Sequence, residues 1–422
     1  MSNGTTIDYE KLSTAPRLLL EAELKPLQGN RFQPTGFADL GAARYTLPDG
    51  KTEMLLVESA QSVANRMELA CCAADQKKLL KELDGLPYIA STFNGNDLTT
   101  SYLEAHRLSS PYLLNEEWAK KLAAEMDIKD DYQINNKNVM KTLFKYDPCS
   151  LIHGVWLGTK EYKKEFSGGR VRLTRLLSGF IEAADIIVAE SGGTKFDKNA
   201  ARMSETGNAE TGYGTIPFHR TEFTAKTIIS YFNLDLALLR GYGLDENATN
   251  LLIALSLFKV RRFLSIGLRL RTACDLDCTG IKATRPEGFV IPEEQVLLAE
   301  CTRLIAACKN DGLFAEPAIT SIEWKPTNKK GEKIELELPE STQEPSIPED
   351  LKNRVVWKKT KKNQKPKIIL PEGLSPDLAK KIEALFPGND DIHELLKEKL
   401  KEMEKAAQEG NDDESNNEEA AE

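Results

Sequence analysis

No apolar run in the 422-residue chain approaches the roughly 20 residues of a membrane span, so the sequence offers nothing to cross a bilayer. The opening residues, MSNGTTIDYEKLSTAPR, lack the basic-then-apolar pattern of a secretory signal, and the expectation is a cytoplasmic chain with no membrane partner. Histidine is scarce. His106, His153, His219 and His393 are scattered, and none has HExxH or comparable ligand spacing. The seven cysteines contain no CxxC pair: Cys274 and Cys278 are four apart, Cys301 and Cys308 seven apart, and Cys71 and Cys72 adjacent. An odd count without knuckle spacing argues against a disulfide framework and a structural zinc, so reduced, buried thiols are expected, with no metal and no cofactor. Gly168-Gly169 is not followed by Gly-Lys-Ser, which excludes a nucleotide-binding P-loop.

What is present describes a chain long enough to bury a sizeable core, as one large domain or two. The net charge of −9 is unevenly placed: residues 409–422 hold seven acids and no base, and without them the charge is −2. A nearly balanced remainder supports local basic surfaces, so the acidic total does not exclude a nucleic-acid partner.

The organising stretch is residues 54–74, MLLVESAQSVANRMELACCAA, which passes from a short apolar strand into helical periodicity without a loop. Val63, Met67, Ala70, Cys71 and Ala74 form one helical stripe, and Ser59 is placed to cap the first turn. Gln61, Ser62, Asn65 and Arg66 fall off the stripe, where they form either a ligand-holding edge or a solvated face.

Residues 17–27 read as a first strand entering a sheet. The following loop, residues 28–41, is rich in Gly, Pro and Asn and carries Arg31, Phe32 and Phe37. A cation beside rings suits phosphate and stacked bases, and aromatics pinning a loop to the core are the alternative. Residues 79–114 read as short strands and turns around His106-Arg107, and residues 115–144 as two helices. Together they have the character of an insertion near residues 79–150.

Residues 151–157, LIHGVWL, are a strand candidate, and Arg170, Arg172 and Arg175 follow a glycine pair that lets backbone approach a phosphate. Residues 191–215 are long, polar and glycine-rich, hence functional or disordered. Residues 251–264 are apolar almost all round the helix axis, a buried helix with Lys259 and Arg262 in one narrow sector. Residues 268–276, LRLRTACDL, alternate strictly, so Arg269 and Arg271 are expected on one strand face about 7 Å apart, a spacing that suits successive phosphates. The alternative is a wet strand face. Asp275 and Asp277 either offer a carboxylate pair to a metal or end that strand.

Several separated blocks in order carry a family likeness: LKPLQGNRFQPTGFADLG (24–41), LLVESAQSVANRME (55–68), LEAHRLSSPY (103–112), HGVWL (153–157) and GLRLRTACDL (267–276). On them the sequence resembles the backbone subunit of the type I-G (formerly I-U) CRISPR surveillance complex, within the repeat-associated mysterious protein (RAMP) superfamily. The resemblance implies an α+β fold: a ferredoxin-like, RNA-recognition-type palm over residues 17–324 with inserted fingers and a thumb hairpin, to which residues 191–215 would contribute. It also implies copies arranged helically along CRISPR RNA, with other Cascade-like subunits, presenting the guide to target DNA without cutting. The RNA-contacting residues expected are Arg31, Phe32, Gln61, Asn65, Arg66, Arg170, Arg172, Arg269 and Arg271. The rival is a metal-dependent ribonuclease of the same superfamily, using Asp39, Asp275 or Asp277. Beyond Trp324 the likeness fades into a lysine-rich, flexible arm (325–370), a short helical segment (371–408) and an acidic tail (409–422) expected to be disordered.

Overall fold

A computed structural model describes residues 6–37, 40–73, 78–128, 134–158, 164–195 and 216–325, and beyond them 356–358, 367–369, 396–397 and residue 401. The chain divides into two units, residues 1–334 and 335–422. The first begins with α1 (Tyr9–Thr14), β1 (Leu18–Pro26), β2 (Gly36–Phe37), β3 (Gly41–Ala42), β4 (Arg44–Thr46), β5 (Glu53–Glu58) and α2 (Ala60–Leu69). It continues through β6 (Tyr88–Phe93), β7 (Asn96–Thr100), α3 (Glu116–Glu125), α4 (Asn136–Tyr146), α5 (Pro148–His153), β8 (Val155–Leu157) and β9 (Val171–Leu173). There follow β10 (Leu177–Lys195), β11 (Ile216–Leu234), α6 (Leu236–Gly241), α7 (Glu246–Ile266), β12 (Arg269–Arg271), β13 (Cys274–Arg285), α8 (Glu294–Asn310) and β14 (Ile319–Glu323). In the second unit β15 (Val356–Lys358) pairs antiparallel with β16 (Lys367–Ile369).

β1 is the spine of the sheet. Leu18, Leu20, Ala22 and Leu24 alternate inward, as one apolar face of an antiparallel strand requires. β11 lies along one side of it, from Leu18 opposite Leu234 to Leu24 opposite Ile228, and β13 along the other. The complete order is β12-β13-β1-β11-β10-β5-β4, with every neighbouring pair antiparallel. β10 and β11 are 19 residues each and remain paired from Leu177–Leu234 out to Lys195–Ile216, so the first residues of the polar 191–215 stretch are strand. Residues 196–215 lie outside the described residues.

The apolar side of this sheet meets helices. α2 packs on β10 and on α7, and α7 in turn on α8 and α5. α7 is buried along its length, as its all-round apolar pattern requires; Lys259 at its centre is 0% exposed. Its Nζ lies 2.9 Å from His153 Nε2 and 3.3 Å from Cys149 Sγ, two groups of α5. Arg262, in the same sector, escapes inward burial by pairing with Glu294 at 2.6 Å and donating to Ala70 O. None of the seven cysteines forms a disulfide, and six of them are buried.

Three sequence expectations change. Residues 151–157 are not one strand: α5 ends at His153, and Gly154, at φ +78°, turns the chain into β8. Residues 268–276 are two strands, because Thr272 and Ala273 turn between β12 and β13 and a register shift falls between Arg269 and Arg271. Residues 79–150 interrupt the sheet in sequence, yet Leu83, Ile89, Trp118, Leu122 and Leu143 join the same core as β1 and α7. Part of that segment builds a second sheet, β14-β6-β7, in which β14 runs parallel to β6.

Candidate nucleic-acid interface

The site grows from the junction of β5 and α2. Ser59 accepts a hydrogen bond from Ser62 N at 3.3 Å and so caps the helix as its position predicts. Glu58, the last residue of β5, is 2% exposed and sits between two guanidiniums. Arg66 Nε is 3.6 Å from Glu58 Oε1, and Arg271 Nη2 bonds Glu58 Oε2. Arg66 also donates to the carbonyls of Arg269 and Leu270, while Arg271 donates to Gln33 O at 2.8 Å and Val57 O at 3.3 Å. One buried carboxylate facing two arginines leaves the cluster net positive. Arg269 adds to it: its side chain is exposed and has no ion-pair or hydrogen-bond partner among the described residues.

The pairing of Arg269 with Arg271 on one face is therefore corrected. The register shift turns Arg271 inward onto Glu58 and leaves Arg269 outside. Arg271 holds the Gln33 loop to the sheet, and of the two Arg269 is the one without a side-chain partner among the described residues.

Gln61 and Asn65 are also engaged. Gln61 Nε2 donates to Asn65 Oδ1 at 3.0 Å, Gln61 Oε1 accepts from Arg175, and Asn65 Oδ1 accepts from Arg107 at 3.5 Å. Arg107 is buried and grips Glu68 with two bonds of 2.8 and 2.6 Å. Its φ of +50° is unusual for a residue other than glycine, and the two bonds to Glu68 hold it there. Burial pushes the Glu68 carboxyl up, with Arg107 opposing it; burial and the neighbouring Arg107 lower Arg175. Side chains of α2 thus position arginines from two other segments, Arg107 and Arg175.

In the loop after β1, Arg31 Nη1 is 3.5 Å from Glu222 Oε2, and Arg220 Nε is 3.9 Å from the same carboxylate. Here again one buried acid serves two arginines. Phe32 is 1% exposed and exchanges backbone hydrogen bonds with Phe223, both 2.9 Å. Its ring is core, so it presents no face for a base, a correction that follows from this bridge. Arg170 and Arg172 are exposed, beside and within β9, and Arg175, three residues past Arg172, bonds Gln61 of α2.

Asp275 lies opposite Arg269, and Asp277 is 3.8 Å from Lys25; Asp39 lies outside the described residues. Among the described residues no three His, Cys, Asp or Glu side chains converge to hold a metal ion. No helix among them is long and apolar enough to cross a membrane. Sequence reading missed Glu58, Glu68 and Glu222, the acids that distribute the arginines. Their only local sign is a charged residue within or beside an apolar strand or helix pattern.

The chain is thus a mixed α/β protein whose antiparallel sheet carries arginine clusters balanced by too few acids. Residues 18–188 are similar to the family described as CRISPR-associated protein GSU0053. None of the curated proteins compared with the chain matches it. Among solved structures, a chain of "CRISPR RNA-guided surveillance complex, pre-nicking" is similar at 14% identity and TM-score 0.34, covering 63% of this chain and 75% of that one. The Thermofilum pendens Csc2 crystal structure is similar at 11% identity and TM-score 0.26, covering 73% of this chain and 81% of that one.

Proposed function

We propose that this protein is a non-catalytic RNA-binding backbone subunit of a type I-G CRISPR surveillance complex. It would assemble as copies along the guide with other Cascade-like subunits in the cytoplasm and present the guide to target DNA. The observation that carries the reading is the gathering of Arg66, Arg107 and Arg175 around α2, within the segment similar to a CRISPR-associated family. Arg269 and Arg172, without partners among the described residues, flank that gathering as cations open to phosphate.

The sheet order supports a ferredoxin-like palm. Taking β1, β10, β11 and β13 as its four strands and α2 and α7 as its two helices, the β-α-β-β-α-β order gives a sheet in which the fourth strand lies beside the first, then the third, then the second. On this reading the outer part of the β10–β11 hairpin, from Ile186 and Ala225 outward, is the thumb, and β6 to β9 with α3 to α5 are finger material.

The experiment is RNA binding against salt. Counterion release gives a slope near −0.7 per phosphate contacted on single strands, so affinity should fall steeply between low and moderate salt. With Mg²⁺ or Mn²⁺ present, RNA and guide-complementary DNA should remain intact. Salt-independent binding counts against the reading. Cleavage abolished by Asp39→Ala or Asp275→Ala would replace it with the ribonuclease.

A further inference from the structure

Trp156 is the one large aromatic of β8, and it faces outward between two core residues: Val155 and Leu157 are buried while Trp156 is 55% exposed. Trp118, by contrast, is buried edge-on to Tyr146, and Trp324 packs against Phe93 and Tyr112. An indole left that open forfeits the burial that normally places tryptophan, so its position calls for another cause.

The ring is also fixed. Its Nε1 donates to Gly169 O at 2.9 Å, and it occupies the space where a side chain at residue 158 would begin, a Cβ there falling 2.4 Å from the ring. Behind it, Ser109 Oγ donates to the Trp156 carbonyl at 2.6 Å. A mobile surface tryptophan needs none of these restraints. Directly opposite on β9 stands Arg172, exposed and without a partner among the described residues. Opposed residues of an antiparallel pair share a face, with Cβ atoms about 4.5–5.5 Å apart, so indole and guanidinium project side by side from the two-stranded sheet.

We propose that Trp156 and Arg172 form a base-stacking subsite for single-stranded RNA, the indole taking one nucleobase and the guanidinium the adjoining phosphate. This rests on the RNA-binding reading above and adds to it a place where a base, not only the backbone, is held. A rigid ring costs little entropy to order, and stacking accepts any base because every base has a π-face. The subsite therefore supplies affinity without sequence preference, as a protein carrying different guides requires.

The test uses the full chain and two probes: a single-stranded RNA oligomer and an abasic ribose-phosphate oligomer of equal length. Trp156→Leu should weaken RNA binding on the order of tenfold and leave abasic binding and the salt slope unchanged. Arg172→Ala should weaken both probes and reduce the salt slope by roughly one phosphate contact. Trp156→Phe, which keeps a ring, should recover most of the affinity, and RNA should quench indole emission in the wild type more than in this variant. If Trp156→Leu fails to fold, the quenching comparison decides alone. Wild-type protein that binds neither probe overturns the RNA-binding reading and the subsite together. Wild-type binding with Trp156→Leu unchanged on RNA overturns the subsite only, and a reduced oligomer mass in that variant would assign the face to contact between copies.

Discussion

Arg269 and Arg271 stand two residues apart and are held by opposite forces. Arg271 pairs with Glu58, which is 2% exposed, so Arg271→Ala leaves a buried carboxylate without its closest cation. We expect a loss of about 3–5 kcal/mol in denaturant unfolding, with Arg66 recovering part of it. Arg269→Ala removes an exposed, unpartnered side chain and should leave the melting temperature in place while weakening RNA binding uniformly across sequences. Equal melting temperatures in the two variants would contradict this division. Phe32→Ala belongs with Arg271: a fully buried ring is lost, at about 3–5 kcal/mol, through packing and not through a missing base contact. Strict alternation in residues 268–276 correctly put Leu268 and Leu270 inside and Arg269 outside. It could not show that Arg271 turns, since the turning depends on Glu58, 213 positions away in sequence. Likewise a phenylalanine in a glycine-proline loop reads the same whether it pins the loop or awaits a base. Only the bridge to Phe223 decides.

Elements with a clean period were legible: β1 from its alternation, α2 from its stripe and cap, α7 from apolar residues on every side. The α5–β8 junction was not, because LIHGVWL is mostly apolar with no clear period, and a short buried helix then cannot be told from a buried strand. Gly154 is the switch. It has φ +78°, and a Cβ there would fall 2.8 Å from the Leu173 carbonyl, so Gly154→Ala should cost on the order of 1–3 kcal/mol and lower the unfolding midpoint. The same helix carries a pH-dependent prediction. His153, buried against Lys259 of α7, has its ring pushed well below the ordinary value of 6.5, by burial first and then by the nearby cations Lys259, Arg107 and Arg175. A base depressed in the folded state takes up its proton first in the unfolded chain, so this contribution is complete above about pH 6.5 and is lost as pH falls through and below it. Asp147 and Glu68, raised by burial, act in the opposite sense, since the folded state holds their protons more tightly. The difference between wild type and His153→Gln isolates the histidine. Stability of the variant measured from pH 7.5 to 5.5 should decline less steeply, and parallel curves would show that His153 is not the group responsible.

At the scale of the molecule, the core cluster of the first unit extends, among the described residues, no further along the chain than Ile322. A chain ending at residue 334 should keep the melting transition of the full protein. Any fall in its RNA salt slope would measure what the lysine-rich stretch 357–367 adds. The larger question is whether RNA organises copies of this chain. A protein that contacts a linear strand through one face, and its own copies head to tail, makes a contact that does not close, so the length of the assembly is set by the strand and not by the protein. Binding along the strand is then cooperative, because each added copy gains a neighbour as well as phosphates. Particle mass measured on single-stranded RNAs of increasing length should therefore rise in steps of the 47.0 kDa chain, with intermediate lengths showing mixtures of adjacent steps and few bare strands. Arg269→Ala should shift the concentration at which the steps appear and leave their height unchanged, since it weakens the hold on phosphate without touching the spacing of copies. A single copy bound at every RNA length would leave the arginine clusters as an RNA-binding site and remove the filament from the proposed function.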